Sequence, residues 1–166
     1  RERENEMTIK VGDRLPSASF EMIGEGGEGA VSTDTLCPGK KVVLFSVPGA
    51  FTPTCSNQHL PGFIDNAAAI KAKGVDEIIC MSVNDAFVMK AWGQDRGAGD
   101  DVRLIADGNA EFAKALGLEM DGTGIGFGTR SQRFALIAEN GVVTKLAVEE
   151  PMKFDVSSAD AILAAL

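Results

Sequence analysis

Lys40-Lys41-Val42-Val43-Leu44-Phe45-Ser46-Val47 is a continuous, largely β-branched apolar run that Pro48-Gly49 brings to a stop. A strand with one wet face alternates apolar and polar residues. A run without alternation belongs to a strand covered on both faces, at the centre of a sheet. Beyond the Pro-Gly stop, residues 54–73 carry helical spacing through Leu60, Phe63, Ile64, Ala67, Ala68 and Ile70, and Lys73-Gly74 closes the pattern. Strand, turn and helix make the first unit.

The alternation continues outward from that unit. Residues 77–83 read as a strand, 85–96 as a helix capped by Asn84 or Asp85, 102–106 as a strand and 109–116 as a helix ended by Gly117. Strands that alternate with helices predict a mainly parallel sheet over this part of the chain. The last third changes character, because 133–138 and 142–148 flank Glu139-Asn140-Gly141, and Asn-Gly is the strongest short hairpin signal. Residues 157–166 follow as a Ser-capped terminal helix with Ala161, Ile162 and Leu166 on its apolar face. The sum, βαβ followed by ββα, is an α/β thioredoxin-like fold: a mixed central sheet flanked by helices, with extra N-terminal strands. The Gly-rich pieces 24–29 and 122–128 read as loops, and there is no internal repeat.

A chain of 166 residues is long enough to bury about 70% of its unfolded surface in one core. We expect a single domain over 9–166, after a charged tail over 1–8 that reads as a tag remnant or the end of a processed chain. Sixteen basic against twenty-four acidic residues leave a net charge of -8. Such a field repels phosphate backbones and anionic lipid surfaces, so neither nucleic acid nor membrane is an expected partner. The apolar runs are strand-sized, far short of a membrane span. Three cysteines, Cys37, Cys55 and Cys80, lack CxxC or zinc-ligand spacing, and one histidine cannot complete a metal site with them. Free thiols in a reducing compartment, with no metal or other cofactor, are expected.

The chemistry concentrates in Pro48-Gly49-Ala50-Phe51-Thr52-Pro53-Thr54-Cys55, where the buried strand gives way to a helix. A helix start offers unpaired N–H groups and the positive end of the macrodipole, which together draw a cysteine pKa from about 8.5 into the 3.5–7.5 range. Cys55 is therefore placed to ionise. Thr52 lies three residues upstream, able to donate a hydrogen bond to the thiolate or to a bound oxygen, and Pro48 and Pro53 stiffen the turn. The competing reading takes Cys55 as one more small buried hydrophobe at a helix start.

Pro48, Thr52 and Cys55 in the order Pro-x-x-x-Thr-x-x-Cys resemble the active-site signature of the peroxiredoxins. The longer string from Val47 to Ser56, followed by His59-Leu60-Pro61-Gly62-Phe63, resembles the type II, peroxiredoxin five-like branch, which includes plant and bacterial members. Lys10-Val11-Gly12-Asp13, Ser82-Val83-Asn84-Asp85-Ala86-Phe87-Val88, Trp92-Gly93 and Arg133-Phe134-Ala135 agree with that branch, so the resemblance runs from about Ile9 to the end of the chain. It implies a thiol-specific peroxidase acting on hydrogen peroxide and alkyl hydroperoxides. The peroxidatic thiolate is Cys55, the intermediate is a sulfenic acid, Thr52 and the Cys55 N–H are donors, and Pro48 shields the site from water. The family's essential arginine falls on Arg133. Without the resemblance, Arg133 and Arg130 are equally plain surface charges, and Arg130 is left to a subunit contact or a neighbouring charge.

His59 stands four residues after Cys55, so a Cys–His nucleophile pair is conceivable. No oxyanion site or orienting residue accompanies it, and His59 reads as a supporting group. Residues 149–158 lack the resolving cysteine that some members of the branch carry. Cys80, in Ile78-Ile79-Cys80-Met81, is either a buried structural thiol or a resolving one, and Cys37 is expected in an exposed loop. The implied reductant is an external thiol: glutathione with glutaredoxin, or thioredoxin. The resemblance also implies a homodimer formed through the 48–51 turn, the Ala86-Phe87 helix start and the 122–130 loop. Phe51 and Phe127 are candidates for the alkyl side of the pocket. The expected compartment is the cytoplasm, or an organelle such as the mitochondrion after removal of a transit peptide. Two other classes stay open: a peroxide sensor whose oxidation remodels a binding surface, and a disulfide exchanger, which the missing CxxC disfavours.

Overall fold

The computed structural model describes residues 8–24 and 27–166; the tail before Thr8 and the centre of the 24–29 segment lie outside the described residues. The apolar run forms β3 (Lys41–Val47), preceded by β1 (Ser19–Gly24), β2 (Gly27–Ser32) and the short α1 (Thr33–Leu36). After β3 come a π-helical turn (Cys55–His59), α2 (Leu60–Asp65), α3 (Ala67–Ala72), β4 (Glu77–Ser82), α4 (Ala86–Arg96), β5 (Arg103–Ala106) and α5 (Glu111–Leu116). The chain finishes with β6 (Glu119–Asp121), a 3₁₀ turn (Thr123–Ile125), β7 (Thr129–Ser131), β8 (Phe134–Glu139), β9 (Val142–Val148) and α6 (Ala159–Ala165).

Seven strands form one sheet in the order β2-β1-β5-β4-β3-β8-β9, so β3 is central, with β4 and β8 at its sides. Its residues alternate between two cores. Val43, Phe45 and Val47 pack with Phe63, Ile70, Met89, Trp92 and Ile162 on one face, while Val42 and Leu44 pack with Phe20, Leu36, Phe112 and Leu116 on the other. Burying each of these large side chains contributes about 1.5–3 kcal/mol, which is why no polar residue stands between Lys41, at the strand's start, and Ser46. The sheet is mixed, as expected, but not mainly parallel: only β3–β4 and β4–β5 run parallel. The N-terminal hairpin joins β5 antiparallel, and β8 and β9 add two more antiparallel pairings.

Local chemistry explains where the elements end. Asp85 is the helix cap of α4, its carboxylate accepting the Val88 N–H at 2.8 Å, while Asn84 is free for another use. Asn140 and Gly141 take φ of 50° and 79°, the paired positive values of a type I′ hairpin turn. Ser158 caps α6 by accepting the Ala161 N–H. Three expectations are corrected. Residues 54–73 are not one helix: the Leu60 N–H reaches back five residues to the Cys55 carbonyl, a wide turn that makes room for Pro61, which has no N–H to give. Asn66 then breaks the helix again by donating its side-chain amide to the Gly62 carbonyl. Of the two glycine-rich pieces, 122–128 is a loop as expected and joins a small β6–β7 hairpin, whereas Gly24 ends β1 and Gly27 and Gly29 lie in β2. Cys37 is buried, since the turn after α1 folds its side chain into the core with Leu36.

Candidate active site

The site lies at the carboxyl end of β3, the end of a parallel strand set at which α/β sheets open a crevice. β3 delivers the 48–54 turn and the π-helical turn, and antiparallel β8 returns Arg133, just before Phe134, beside them. The Arg133 guanidinium is the centre of the arrangement. Its Nη2 donates to Cys55 Sγ at 3.1 Å, and its Nη1 donates to His59 Nδ1 at 2.8 Å. The planar fork thus binds sulfur and imidazole at once, which a lysine ammonium cannot do in the same geometry. Cys55 is 1% exposed and His59 is fully buried.

The partners of His59 decide its tautomer. Nε2 lies 2.9 Å from the Ser157 carbonyl, which only accepts, so Nε2 carries the hydrogen and Nδ1 is bare for Arg133. Burial first, then the Arg133 charge, lowers the His59 pKa to about 3, against the opposing pull of the Ser157 hydrogen bond and the Glu149 carboxylate. With both nitrogens engaged, the ring has no lone pair for Cys55, and a Cys–His nucleophile pair is excluded. The unfolded chain takes up this proton near 6.5 and the folded protein only near 3, so stability falls as pH drops through that window. Between pH 7 and 5 the expected loss is about 2 kcal/mol. Urea midpoints measured across that interval should fall less steeply in His59→Gln than in the unaltered protein; equal slopes would contradict the assignment.

Thr52 is placed differently from expectation. Its hydroxyl donates to the Gly49 carbonyl at 2.6 Å, so its one proton is spent on the turn and its lone pairs are what it can offer a ligand. Arg130 also serves the turn: Nη1 donates to the Pro48 carbonyl at 3.2 Å, Nε donates to the Phe127 carbonyl at 2.9 Å, and the guanidinium lies over the Phe127 ring. Gly49 leaves room for this guanidinium, since a Cβ there would stand 2.9 Å from Arg130 Nη1 and push it aside. Asn84 completes the clamp by accepting the Ala50 N–H and the Ser82 hydroxyl. Phe51 holds a left-handed φ of 64° with its ring half exposed, a conformation that costs about 1–3 kcal/mol in a residue other than glycine.

Cys80 sits in β4, opposite Phe45, and is fully buried in the same core as Cys55. Burial and the neighbouring Cys55 push its thiol well up, against a weaker pull from Arg133. The sequence does not mark the site roles of three residues. Ser157 holds His59, Phe154 packs its ring on both His59 and Arg133, and Ser56 accepts the indole N–H of buried Trp92 at 2.9 Å. His59 and Ser157 are 98 positions apart, and no local pattern marks such a pair. A separate groove lined by Lys71, Glu77, Gln94, Asp100 and Arg103 lies toward the opposite, amino ends of β4 and β5 and takes no part in this arrangement.

The family model described as Redoxin matches residues 10–163. Peroxiredoxin-2E-2, chloroplastic, of Oryza sativa subsp. japonica is 53% identical over 96% of this chain and 73% of its own length. Peroxiredoxin-2B of Arabidopsis thaliana is 52% identical over 95% of this chain and 98% of its own. Among solved structures, reduced Prx3 from Vibrio vulnificus in complex with H₂O₂ superposes with a TM-score of 0.92 at 56% identity, covering 95% of this chain and 99% of that one. No helix among the described residues is long and apolar enough to cross a membrane.

Proposed function

The chain belongs to the peroxiredoxins of type II and is a thiol peroxidase, and from that premise we propose that the Cys55 sulfur is the atom that attacks the peroxide. The observation that carries this reading is the 3.1 Å contact from Arg133 Nη2 to Cys55 Sγ, a charge-assisted donor on a sulfur sitting where a buried strand enters a helical turn. The Cys55 thiolate attacks the terminal, hydrogen-bearing oxygen of a hydroperoxide. The S–O bond forms as the O–O bond breaks, and the electron pair leaves with the departing alkoxide or hydroxide, which takes a proton from solvent. Cysteine is oxidised to sulfenic acid, and the peroxide is reduced to alcohol or water. Arg133 stabilises both the thiolate and the leaving oxygen, the Thr52 lone pairs accept the peroxide O–H, and Pro48 covers the sulfur against water. Arg130 holds the Pro48 turn in place.

The substrates we assign are hydrogen peroxide and alkyl hydroperoxides, with the exposed Phe51 ring on the alkyl side; the hydrogen peroxide bound by the Vibrio vulnificus relative supports the first. The reductant is an external thiol, glutathione with glutaredoxin or thioredoxin. In support, Cys80 is buried with a raised thiol pKa, which leaves it a poor nucleophile toward a sulfenic acid, and no other cysteine lies in the core around Cys55. Excess peroxide with a starved reductant then leads to the sulfinic acid. Three free thiols favour a reducing compartment, the cytoplasm; a chloroplastic relative gives an organelle as the second reading. The test is steady-state turnover of hydrogen peroxide and tert-butyl hydroperoxide with each reductant in turn, and failure with both reductants would remove the external-thiol reading.

A homodimer completes the proposal. Phe51, Phe87 and Ile125 are 51%, 65% and 71% exposed, and the bonds from the Ala50 N–H to Asn84 and from Arg130 to the Pro48 carbonyl draw their three segments together around the site. In a two-fold interface each side chain is buried twice, so Phe87→Glu is expected to weaken the dimer by at least about 10²-fold. Sedimentation at micromolar protein should show the dimer become a monomer, and an unchanged sedimentation coefficient would move the interface elsewhere.

A further inference from the structure

Beyond Arg133, the hydrogen bonds of the site lead to a carboxylate with no assigned role. Glu149 follows β9 and is 7% exposed; its N–H donates to the Arg133 carbonyl at 2.9 Å, so the two residues are backbone neighbours. Among the described residues, the Glu149 side chain makes no ion pair with the Arg133 guanidinium. Its Oε2 instead accepts three hydrogen bonds: from the Asp155 N–H at 2.7 Å, the Ser157 N–H at 2.9 Å and the Ser157 hydroxyl at 2.7 Å. Burial alone would raise its pKa, and the donors from Ser157, Asp155 and Val156 reverse that and hold it below its ordinary value, so the group is a stable anion near neutral pH. One oxygen thereby closes the 150–157 loop into a ring. That loop lays Phe154 over His59 and Arg133 and aims the Ser157 carbonyl at His59 Nε2.

We infer that Glu149 is a positioning residue for the peroxidase reaction, acting through Ser157 and His59 to orient the Arg133 fork on Cys55. The sequence of contacts is directional. Glu149 fixes Ser157, the Ser157 carbonyl fixes the hydrogen on His59 Nε2, and the bare Nδ1 then takes Arg133 Nη1. With Nη1 occupied, Nη2 is turned toward the sulfur. A loosened Ser157 lets His59 sample the other tautomer, whose Nδ1–H opposes an Arg133 N–H. The guanidinium then loses its support on the side away from the sulfur, and Cys55 loses an aligned donor. The inference rests on the reading of Cys55 and Arg133 above.

The test is Glu149→Gln in the full chain, read in two ways. His59 is the one histidine of the sequence, so a long-range ¹H–¹⁵N spectrum shows a single imidazole. The unaltered protein should give one Nε2–H tautomer and the variant a mixture, while the second-order rate of Cys55 oxidation by hydrogen peroxide falls about tenfold. A role confined to holding the loop lowers Tm and moves neither readout; that result, or a scrambled tautomer with an unchanged rate, overturns the inference. If Glu149→Gln does not fold, Ser157→Ala removes the hydroxyl donor and keeps both backbone contacts. It should move both readouts the same way by less, and no movement in either overturns the inference equally. Failure of the Cys55 reading looks different: the unaltered protein then reacts no faster than a free thiol, whatever the spectrum of the variant.

Discussion

Cys55→Ser is expected to lose all peroxidase turnover, leaving only the slow reaction of peroxide with the added thiol. The hydroxyl that replaces the sulfur fits the same space and can still accept from Arg133 Nη2, so the fold and the His59 contacts should survive and Tm should change little. What disappears is the polarisable sulfur whose electron pair enters the O–O antibonding orbital. Cys80→Ser and Cys37→Ser provide the contrast. Both side chains are buried in apolar surroundings, one on each face of the sheet, and their replacement should lower stability while leaving the rate of Cys55 oxidation intact. Turnover with hydrogen peroxide and an excess of reductant separates the three variants. Activity retained in Cys55→Ser would mean that another thiol does the chemistry.

Arg133→Lys should come next in size. A lysine keeps the charge and loses the fork: one ammonium cannot reach His59 Nδ1 and Cys55 Sγ along the two directions that Nη1 and Nη2 now take. Loss of a single donor from a developing oxyanion typically costs about 10²–10³ in rate, and that is the expected fall in the second-order constant for Cys55 oxidation. Arg133→Met should fall further, since it removes the charge as well. It also removes one of the two causes that keep His59 from taking a proton, so the His59 titration should move up toward its ordinary range. Stopped-flow oxidation gives the rate, and the imidazole resonances give the titration. A rate within threefold of the unaltered protein would place the essential cation elsewhere, with Arg130 the next candidate.

The fold was legible where a local rule is strong. An unbroken apolar run can only be an inner strand, and Asn140-Gly141 can hardly be anything but a hairpin turn, so β3, β8 and β9 were readable from the residues themselves. It was less legible where two rules compete. Helical spacing over 54–73 hid a proline and an asparagine that split the segment into a π-helical turn and two short helices. Alternation of strand and helix suggested a parallel sheet, yet which strand pairs with which is a long-range outcome, and the antiparallel edges outnumber the parallel centre. Cys37 looked like a loop residue because Pro38-Gly39 follows it, while its side chain in fact folds inward.

The site divides the same way. Cys55 and its turn were marked by position alone. Only the resemblance to a family separates Arg133 from Arg130, because nothing local distinguishes two arginines three residues apart. Arg130 proved to serve the turn from the other side, holding the Pro48 carbonyl. The chain of contacts behind His59 was not readable at all. Glu149 and Ser157 are an acid and a hydroxyl in a polar stretch, and only the return of β9 beside β8 brings them behind the imidazole.

The most direct test of Cys55 as the peroxide-attacking sulfur is a single-turnover one. Trp92 is the one tryptophan of a chain without tyrosine, and its indole N–H is bonded to Ser56, the residue after Cys55, so its fluorescence should report the change at the sulfur. Reduced protein mixed with one equivalent of hydrogen peroxide should show a fast fluorescence change, several orders of magnitude above the rate of a free thiol. Intact mass should rise by one oxygen, and both signals should vanish in Cys55→Ser. An internal disulfide instead of the added oxygen would make Cys80 or Cys37 the resolving thiol. A rate no faster than that of a free thiol would contradict the account at its centre.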